Sequence, residues 1–305
     1  MELLYWFQSI RNPVLDAVMS TVTHLGEETF FMVAALVVFW CVDKRKGYYL
    51  LTVGFVGTLI NQWLKIVCRI PRPWVQDPNF TIVEAARAEA TGYSFPSGHT
   101  QSAVGYLGGV ARFTDRLWLR IICVVLAVLT AVSRMYLGVH TPMDVGVSVV
   151  IAVVLVLVIY PLVESTLWFP NRLYVVMGGM LAFSLAYLAF VELYPFPADV
   201  DAVNLASAVK NAYTMTGAVS GVVLVSYLDS KWINFPTKAP LWGQFIKLAV
   251  GFALTVAVKS LLKAPLLALC GGHNVGNLIR YFLMVMVAGG LWPLSFRFFA
   301  DRAKN

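Results

Sequence analysis

Lys65 stands seven residues before Arg72-Pro73, a second segment reads Pro96-Ser97-Gly98-His99, and a third holds Ser133-Arg134, His140 and Asp144. Together they bring three cations, two imidazoles, one carboxylate and a Ser-Gly pair. That set has what is needed to hold a phosphate and break its ester bond. A phosphoryl group is anionic, and its transition state spreads charge over the equatorial oxygens. Arg72 and Arg134 offer planar forks that match those oxygens, and Lys65 adds a point charge. Ser97 and Gly98, placed after Pro96, read as the opening of a helix whose first N–H groups point at an anion. Gly98 also lets the backbone approach closely.

His140 and Asp144 lie four residues apart around the turn at Thr141-Pro142. A carboxylate there can accept a hydrogen bond from one imidazole nitrogen and leave the other as base or nucleophile. His99 is then free to be the acid that protonates the leaving alkoxide. This division of labour calls for no metal and no cofactor.

The elements that must position these groups are membrane helices. The 305 residues are 59% hydrophobic and 13% charged, with mean hydropathy +0.74. Soluble domains carry about 25% charged residues, so an all-α, polytopic helical membrane protein is expected. A bilayer-crossing helix needs about 20 mostly apolar residues. By that measure nine spans are predicted, at 27–42, 48–67, 97–114, 117–137, 143–163, 173–194, 205–228, 243–268 and 276–297. Residues 3–24, with Trp6, Phe7, Leu15 and Val18 among polar positions, read as one amphipathic helix lying at the interface. The start lacks a basic stretch and a small-residue cleavage site, so no removable signal peptide is expected. Cys41, Cys68, Cys123 and Cys270 are scattered singly and read as small buried residues rather than a disulfide or a metal motif.

Loop charges orient the spans. The side opposite the N-terminus carries Lys44, Arg45, Lys46, Arg112, Arg116, Arg120, Arg172, Lys231, Lys238, Lys247, Arg297, Arg302 and Lys304. The loops of the N-terminal side, apart from the motif cations, have Arg11, Arg69 and Arg87, and four more cations, Lys210, Lys259, Lys263 and Arg280, lie inside the last three spans toward that side. Positive loops stay in the cytoplasm. The net charge of +7 is thus a topology signal, and nucleic acid is excluded as a partner. The same span order brings Lys65, His99, Arg134, His140 and Asp144 to one face, which is predicted to be extracytoplasmic or lumenal.

On those residues the chain resembles the type-2 phosphatidic-acid phosphatase superfamily. That group holds membrane lipid phosphate phosphatases, polyprenyl diphosphate phosphatases, glucose-6-phosphatase and soluble vanadium haloperoxidases. The resemblance fills every signature position: Lys65, Arg72, Pro73, Ser97, Gly98, His99, Ser133, Arg134, His140 and Asp144. It implies that His140 attacks phosphorus to form a phosphohistidine while Asp144 orients it. His99 would protonate the leaving group, and Lys65, Arg72, Ser97, Gly98 and Arg134 would bind phosphoryl oxygens. It covers about 27–163, the six-helix core if the interfacial helix is counted. The expected organisation is an interfacial helix at 1–26, a phosphatase core at 27–165 and about four further transmembrane helices at 166–305. Those last helices could shape lipid entry or mediate a homodimer.

Other polar residues read more plainly. Arg69 and Arg87 are expected to reach toward head groups. His24 and His273 are read as ordinary histidines without partners, and Asp77, Glu84 and Glu89 as solvated loop acids. Gly105, Gly108 and Gly109 read as close helix packing. Lys210, Lys259, Lys263 and Arg280 suggest either a basic rim for a head group or pairing with Glu192, Asp199 and Asp201, with Lys259 and Lys263 on one helix face. The leading expectation is a lipid phosphate or diphosphate phosphatase whose substrate tail stays in the bilayer. A phosphatase of a soluble sugar phosphate, and a non-catalytic lipid transporter or scaffold, are the alternatives.

Overall fold

The computed structural model describes residues 1–164 and 171–300, and every regular element within them is helical. The helices are α1 (Glu2–Ser9), α2 (Pro13–Thr23), α3 (Glu28–Val37), α4 (Lys44–Cys68), α5 (Pro73–Gln76), α6 (Gly98–Phe113) and α7 (Leu117–Tyr136). They continue with α8 (Pro142–Glu164), α9 (Asn171–Leu193), α10 (Ala202–Leu228), α11 (Leu241–Leu261), α12 (Lys263–Leu269), α13 (Val275–Met286) and α14 (Phe296–Phe299). Of the cations used to orient the spans, Arg302, Lys304 and the side chain of Arg172 lie outside the described residues.

Each of the nine predicted spans falls on helix, yet among the described residues six helical stretches are long and apolar enough to cross a bilayer: Lys44–Gln76, Leu117–Tyr136, Pro142–Glu164, Leu173–Leu193, Leu241–Leu269 and Val275–Phe299. A seventh arises if Pro13–Gly26 and Glu28–Val42, bent by 53°, make one broken span. The others fall short for physical reasons. α6 has 16 residues, bounded by Pro96-Ser97 and Thr114-Asp115. α10 is long, but it carries Asn204, Lys210, Asn211, Thr214 and Thr216 along its length.

The amphipathic stretch at 3–24 is two helices, not one. The first ends at Ser9, and Asn12 caps the second, its Oδ1 accepting from the Leu15 N–H at 3.0 Å, with Pro13 in the first turn. Proline lacks a donor and clashes with a preceding helical turn, so the break belongs there. Leu4 and Phe7 are buried, Phe7 among Tyr136, Leu137 and Val139, whereas Trp6 and Val18 are exposed.

Two compact units emerge. Unit 1 is Met1–Ala34, Val53–Tyr160 and Phe196–Ala208; unit 2 is Ala35–Thr52, Pro161–Pro195 and Val209–Asn305. In unit 1, Ala103, Val104 and Leu107 of α6 pack on Cys123 and Ala127 of α7 and Ala152 of α8. A methyl on Gly105 or Gly108 would meet Val53 at 3.4 Å or Val156 at 3.6 Å, which is ordinary contact. In unit 2, Trp40 donates to the Ala288 carbonyl at 2.9 Å, meets Phe252 at a tilt and meets Phe296 edge-on. Lys247, expected at a span end, is fully buried and donates to the Pro236 and Thr237 carbonyls, each at 3.0 Å. All four cysteines are free, and of them only Cys123 is buried; Cys68 is exposed.

The helix expected to carry Lys259 and Lys263 on one face breaks at Leu262. Pro265 in the first turn of α12 cannot donate to the preceding turn. Arg280 is buried over the Tyr281 ring, whereas Lys210 and Lys263 are exposed. Asp199 lies 3.8 Å from Arg69, and Asp201 caps α10 through the Asn204 N–H at 2.8 Å.

Candidate active site

The site lies inside unit 1, where the end of α4, the loop before α6, the end of α7 and the start of α8 converge. Lys65, Arg72, Gly98, His99, Arg134 and His140 line one cavity of about 420 Å³. Ser97 and Asp144 stand directly behind it, both buried.

His140 follows the tight turn at the end of α7, where Gly138 takes φ of +81° and the Val139 N–H donates to the Arg134 carbonyl at 3.2 Å. Its Nδ1 lies 3.5 Å from Asp144 Oδ2. Its Nε2 lies 2.9 Å from Arg72 Nη1. A guanidinium only donates, so Nε2 is the nitrogen with the lone pair and the proton sits on Nδ1, toward Asp144. That is the tautomer a nucleophile at Nε2 requires.

Asp144 is fixed by Thr141 N–H at 2.8 Å and Ser94 Oγ at 2.6 Å, both to Oδ2. Ser94 Oγ is also 3.5 Å from His140 Nδ1. Nothing in the sequence around Ser94 marks it; its role depends on a segment 46 residues later. Ser97 likewise differs from expectation. Its N–H donates to the Asp144 carbonyl at 3.2 Å and its Oγ caps α6 at the Thr100 N–H, 3.4 Å away. Of the pair, Gly98 is the one facing the cavity.

The three cations are held open. Lys65 Nζ donates to the Tyr93 carbonyl and, at 3.5 Å, to that of Ser94. Arg72 donates to the carbonyls of Val139, Gly92 and Thr91 at 3.0, 3.1 and 2.7 Å. Arg134 donates to Thr23 Oγ1 at 2.6 Å, while its buried Nε has no partner among the described residues. These contacts aim the cations without neutralising them. The buried polar atoms of Asn61, on the same wall, also lack partners among the described residues. Unused donors around a cationic hollow are what an oxyanion ligand satisfies. Burial, and then the charges of Arg72, Arg134, Lys65 and His99, hold the His140 imidazole well below its usual pKa, so it is a neutral base.

His99 opens α6 against Gly26, where an added methyl would lie 2.7 Å from the His99 carbonyl. Glu89 Oε2 is 3.5 Å from His99 Nε2, and Glu89 Oε1 is 3.7 Å from His24 Nδ1. Glu89 therefore lines the cavity rather than being a plain solvated acid, and His24, which also pairs with Glu27, is not without partners. His24, Glu27 and Glu89 place ligand atoms within 4.8 Å of one another, a clustering that linear spacing hid. His273 also has company, accepting from the Val275 N–H at 3.2 Å and meeting Tyr213 edge-on. Arg87 pairs with Glu84 at 2.7 Å.

A second cavity of about 460 Å³ in unit 1 shares Arg72 and Thr91 with the first and is otherwise lined by Trp74, Val75, Tyr93, Val203 and neighbours.

Residues 45–168 match the PAP2 superfamily, and residues 213–303 match the transmembrane extension of PAP2 superfamily phosphatases. Among curated proteins, a probable sphingosine-1-phosphate phosphatase of Dictyostelium discoideum is 30% identical over 259 residues, which is 78% of this chain and 58% of that protein. Phosphatidylglycerophosphatase B of Bacillus subtilis is 31% identical over 45% of this chain and 69% of its own length. An undecaprenyl-diphosphatase of the same organism is 31% identical over 48% and 74%. No solved structure matches the chain significantly.

Proposed function

The chain belongs to the PAP2 superfamily of phosphatases, and from that premise we propose that it hydrolyses a lipid phosphate or diphosphate monoester at the non-cytoplasmic face. The observation that carries this is His140, tied to Asp144 through Nδ1 and presenting Nε2 beside Arg72 in a cationic cavity. Bound phosphate takes the Arg72, Arg134 and Lys65 donors and draws Arg72 off Nε2. The Nε2 lone pair then attacks phosphorus as the bond to the leaving oxygen breaks. His99 gives that oxygen its proton, with Glu89 beside it as counter-charge. Water next attacks the phosphohistidine, His99 takes the water's proton, and the P–N bond breaks to release phosphate and neutral His140. No step uses a metal ion.

A lipid rather than a soluble sugar is supported by the second cavity. It adjoins the phosphate cavity at Arg72, and its rim residues Val75 and Val203 are exposed apolar side chains. An acyl or prenyl chain can rest there while the head group sits at Arg72. The relatives are named for sphingosine-1-phosphate, phosphatidylglycerophosphate and undecaprenyl diphosphate, and substrates of that class are proposed here. The extracytoplasmic position rests on the loop-charge asymmetry.

The test is phosphate release by purified protein from phosphatidate, polyprenyl diphosphate, sphingoid phosphate and glucose 6-phosphate, with His140→Ala as control and with EDTA added. Release from a lipid that is lost in the variant and unaffected by EDTA is expected. Glucose 6-phosphate as best substrate would replace the lipid reading, and EDTA-sensitive release restored by a divalent ion would replace the metal-free one. Release that survives His140→Ala would sink the mechanism.

A further inference from the structure

Unit 2 holds a cavity of about 660 Å³ between the start of α4 and the loop after α10. None of its lining residues lines the catalytic cavity. Three cations face it, Lys44, Arg45 and Lys238, together with two carboxylates, Asp43 and Asp229. Both carboxylates are already engaged. Asp229 pairs with Lys44 at 3.1 Å and accepts from the Phe235 N–H at 3.3 Å. Asp43 caps α4 through the Arg45 N–H at 2.8 Å and lies 3.9 Å from Arg45 Nε. Lys238 is exposed to the cavity and has no ion-pair partner among the described residues. Three cations against two carboxylates leave one positive charge unbalanced.

Tyr48 supplies the independent sign of a ligand. It is 1% exposed and lines this cavity, and its hydroxyl has no hydrogen-bond partner among the described residues. A buried hydroxyl without a partner is costly, and a ligand oxygen in the cavity removes the cost. Near the end of α10, exposed Trp232 meets Tyr227 edge-on at 5.7 Å. Such rings collect where a membrane meets water.

We propose that this cavity binds a phosphodiester monoanion, the head group of an anionic phospholipid, through Lys238 and the Tyr48 hydroxyl. A single negative charge balances the unpaired cation, whereas free phosphate, near two negative charges, overshoots it. The volume lies in the range of about 300–1,000 Å³ common for ligand sites and is more than a bare phosphate fills. Inorganic phosphate shares the recognition chemistry and is the other source to separate.

The experiment is native mass spectrometry of the full-length chain in detergent, titrated with phosphatidylglycerol, phosphatidylcholine or inorganic phosphate. Lys238→Gln removes the unbalanced charge, and Tyr48→Phe removes only the hydroxyl. Size-exclusion elution and the melting temperature without lipid report folding; Tyr48→Phe, which deletes an unpaired polar atom, is expected to melt no lower than the parent. Phosphatidylglycerol should bind more tightly than phosphatidylcholine, and about tenfold less tightly to Lys238→Gln, as for loss of a charge-assisted contact. A deficit confined to inorganic phosphate would assign the free anion as the ligand of the same site. Unchanged binding of phosphatidylglycerol and inorganic phosphate in both variants would overturn the proposal.

Discussion

His140 and Asp144 are four residues apart, but their geometry is completed by Ser94, whose hydroxyl reaches Asp144 at 2.6 Å from another segment. A hydrogen bond to a charged group contributes about 1.5–3 kcal/mol, and about 1.4 kcal/mol is a factor of ten in rate. Ser94→Ala should therefore lower kcat roughly tenfold or more with KM little changed, since Ser94 touches the orienting carboxylate and not the cavity. A rise in KM at constant kcat would contradict that role. The pH profile tests His140 itself. Only the neutral imidazole attacks, and burial among three cations disfavours the charged form. Its pKa is thus lowered from about 6.5, and the acid limb of kcat/KM should fall below that pH, activity dropping as the pH passes down through the lowered value. A limb at or above about 6.5 would show that the cations do not act on Nε2 as described.

At the scale of elements, the site is held by helix ends. α6 begins where Ser97 caps it, α7 ends in the Gly138 turn that presents His140, and α8 begins at a reciprocal cap in which Thr141 Oγ1 accepts from the Asp144 N–H and Asp144 Oδ2 accepts from the Thr141 N–H. The approach of Gly26 to the start of α6 is closer than any side chain allows, at 2.7 Å from the His99 carbonyl for a built methyl. Because that neighbour is backbone, it must move as a unit. Gly26→Ala is expected to displace His99 and to cost about 10²–10⁴ in kcat, the usual contribution of a general acid, while the protein still inserts and elutes normally. Near-wild-type turnover in Gly26→Ala would mean that His99 tolerates the shift and is not positioned by this contact.

The whole molecule carries the question of sides. In a Cys68→Ser background, a cysteine at Asn79 lies in the loop after α5, and one at Asp115 lies between α6 and α7, both exposed and both in unit 1. A membrane-impermeant thiol reagent applied to intact cells should label the first and reach the second only after permeabilisation. The reverse pattern would put the catalytic cavity on the cytoplasmic side.

Much was legible without the fold. The helical membrane class follows from hydropathy, because a bilayer accepts little else from a long apolar chain. Six residues of the candidate site, its three cations, two imidazoles and one carboxylate, stand out because such groups at span edges are costly unless used. Other features depend on distance in space. The break at Asn12-Pro13 was readable from local chemistry, yet amphipathic periodicity masked it. Ser94, Thr23, Glu89 and the paired state of His24 acquire meaning from partners many residues away, and so does the unpaired Tyr48 hydroxyl. Composition and spacing record what a residue can do; which atoms meet, and which polar groups remain without a partner, is decided only when the helix ends converge.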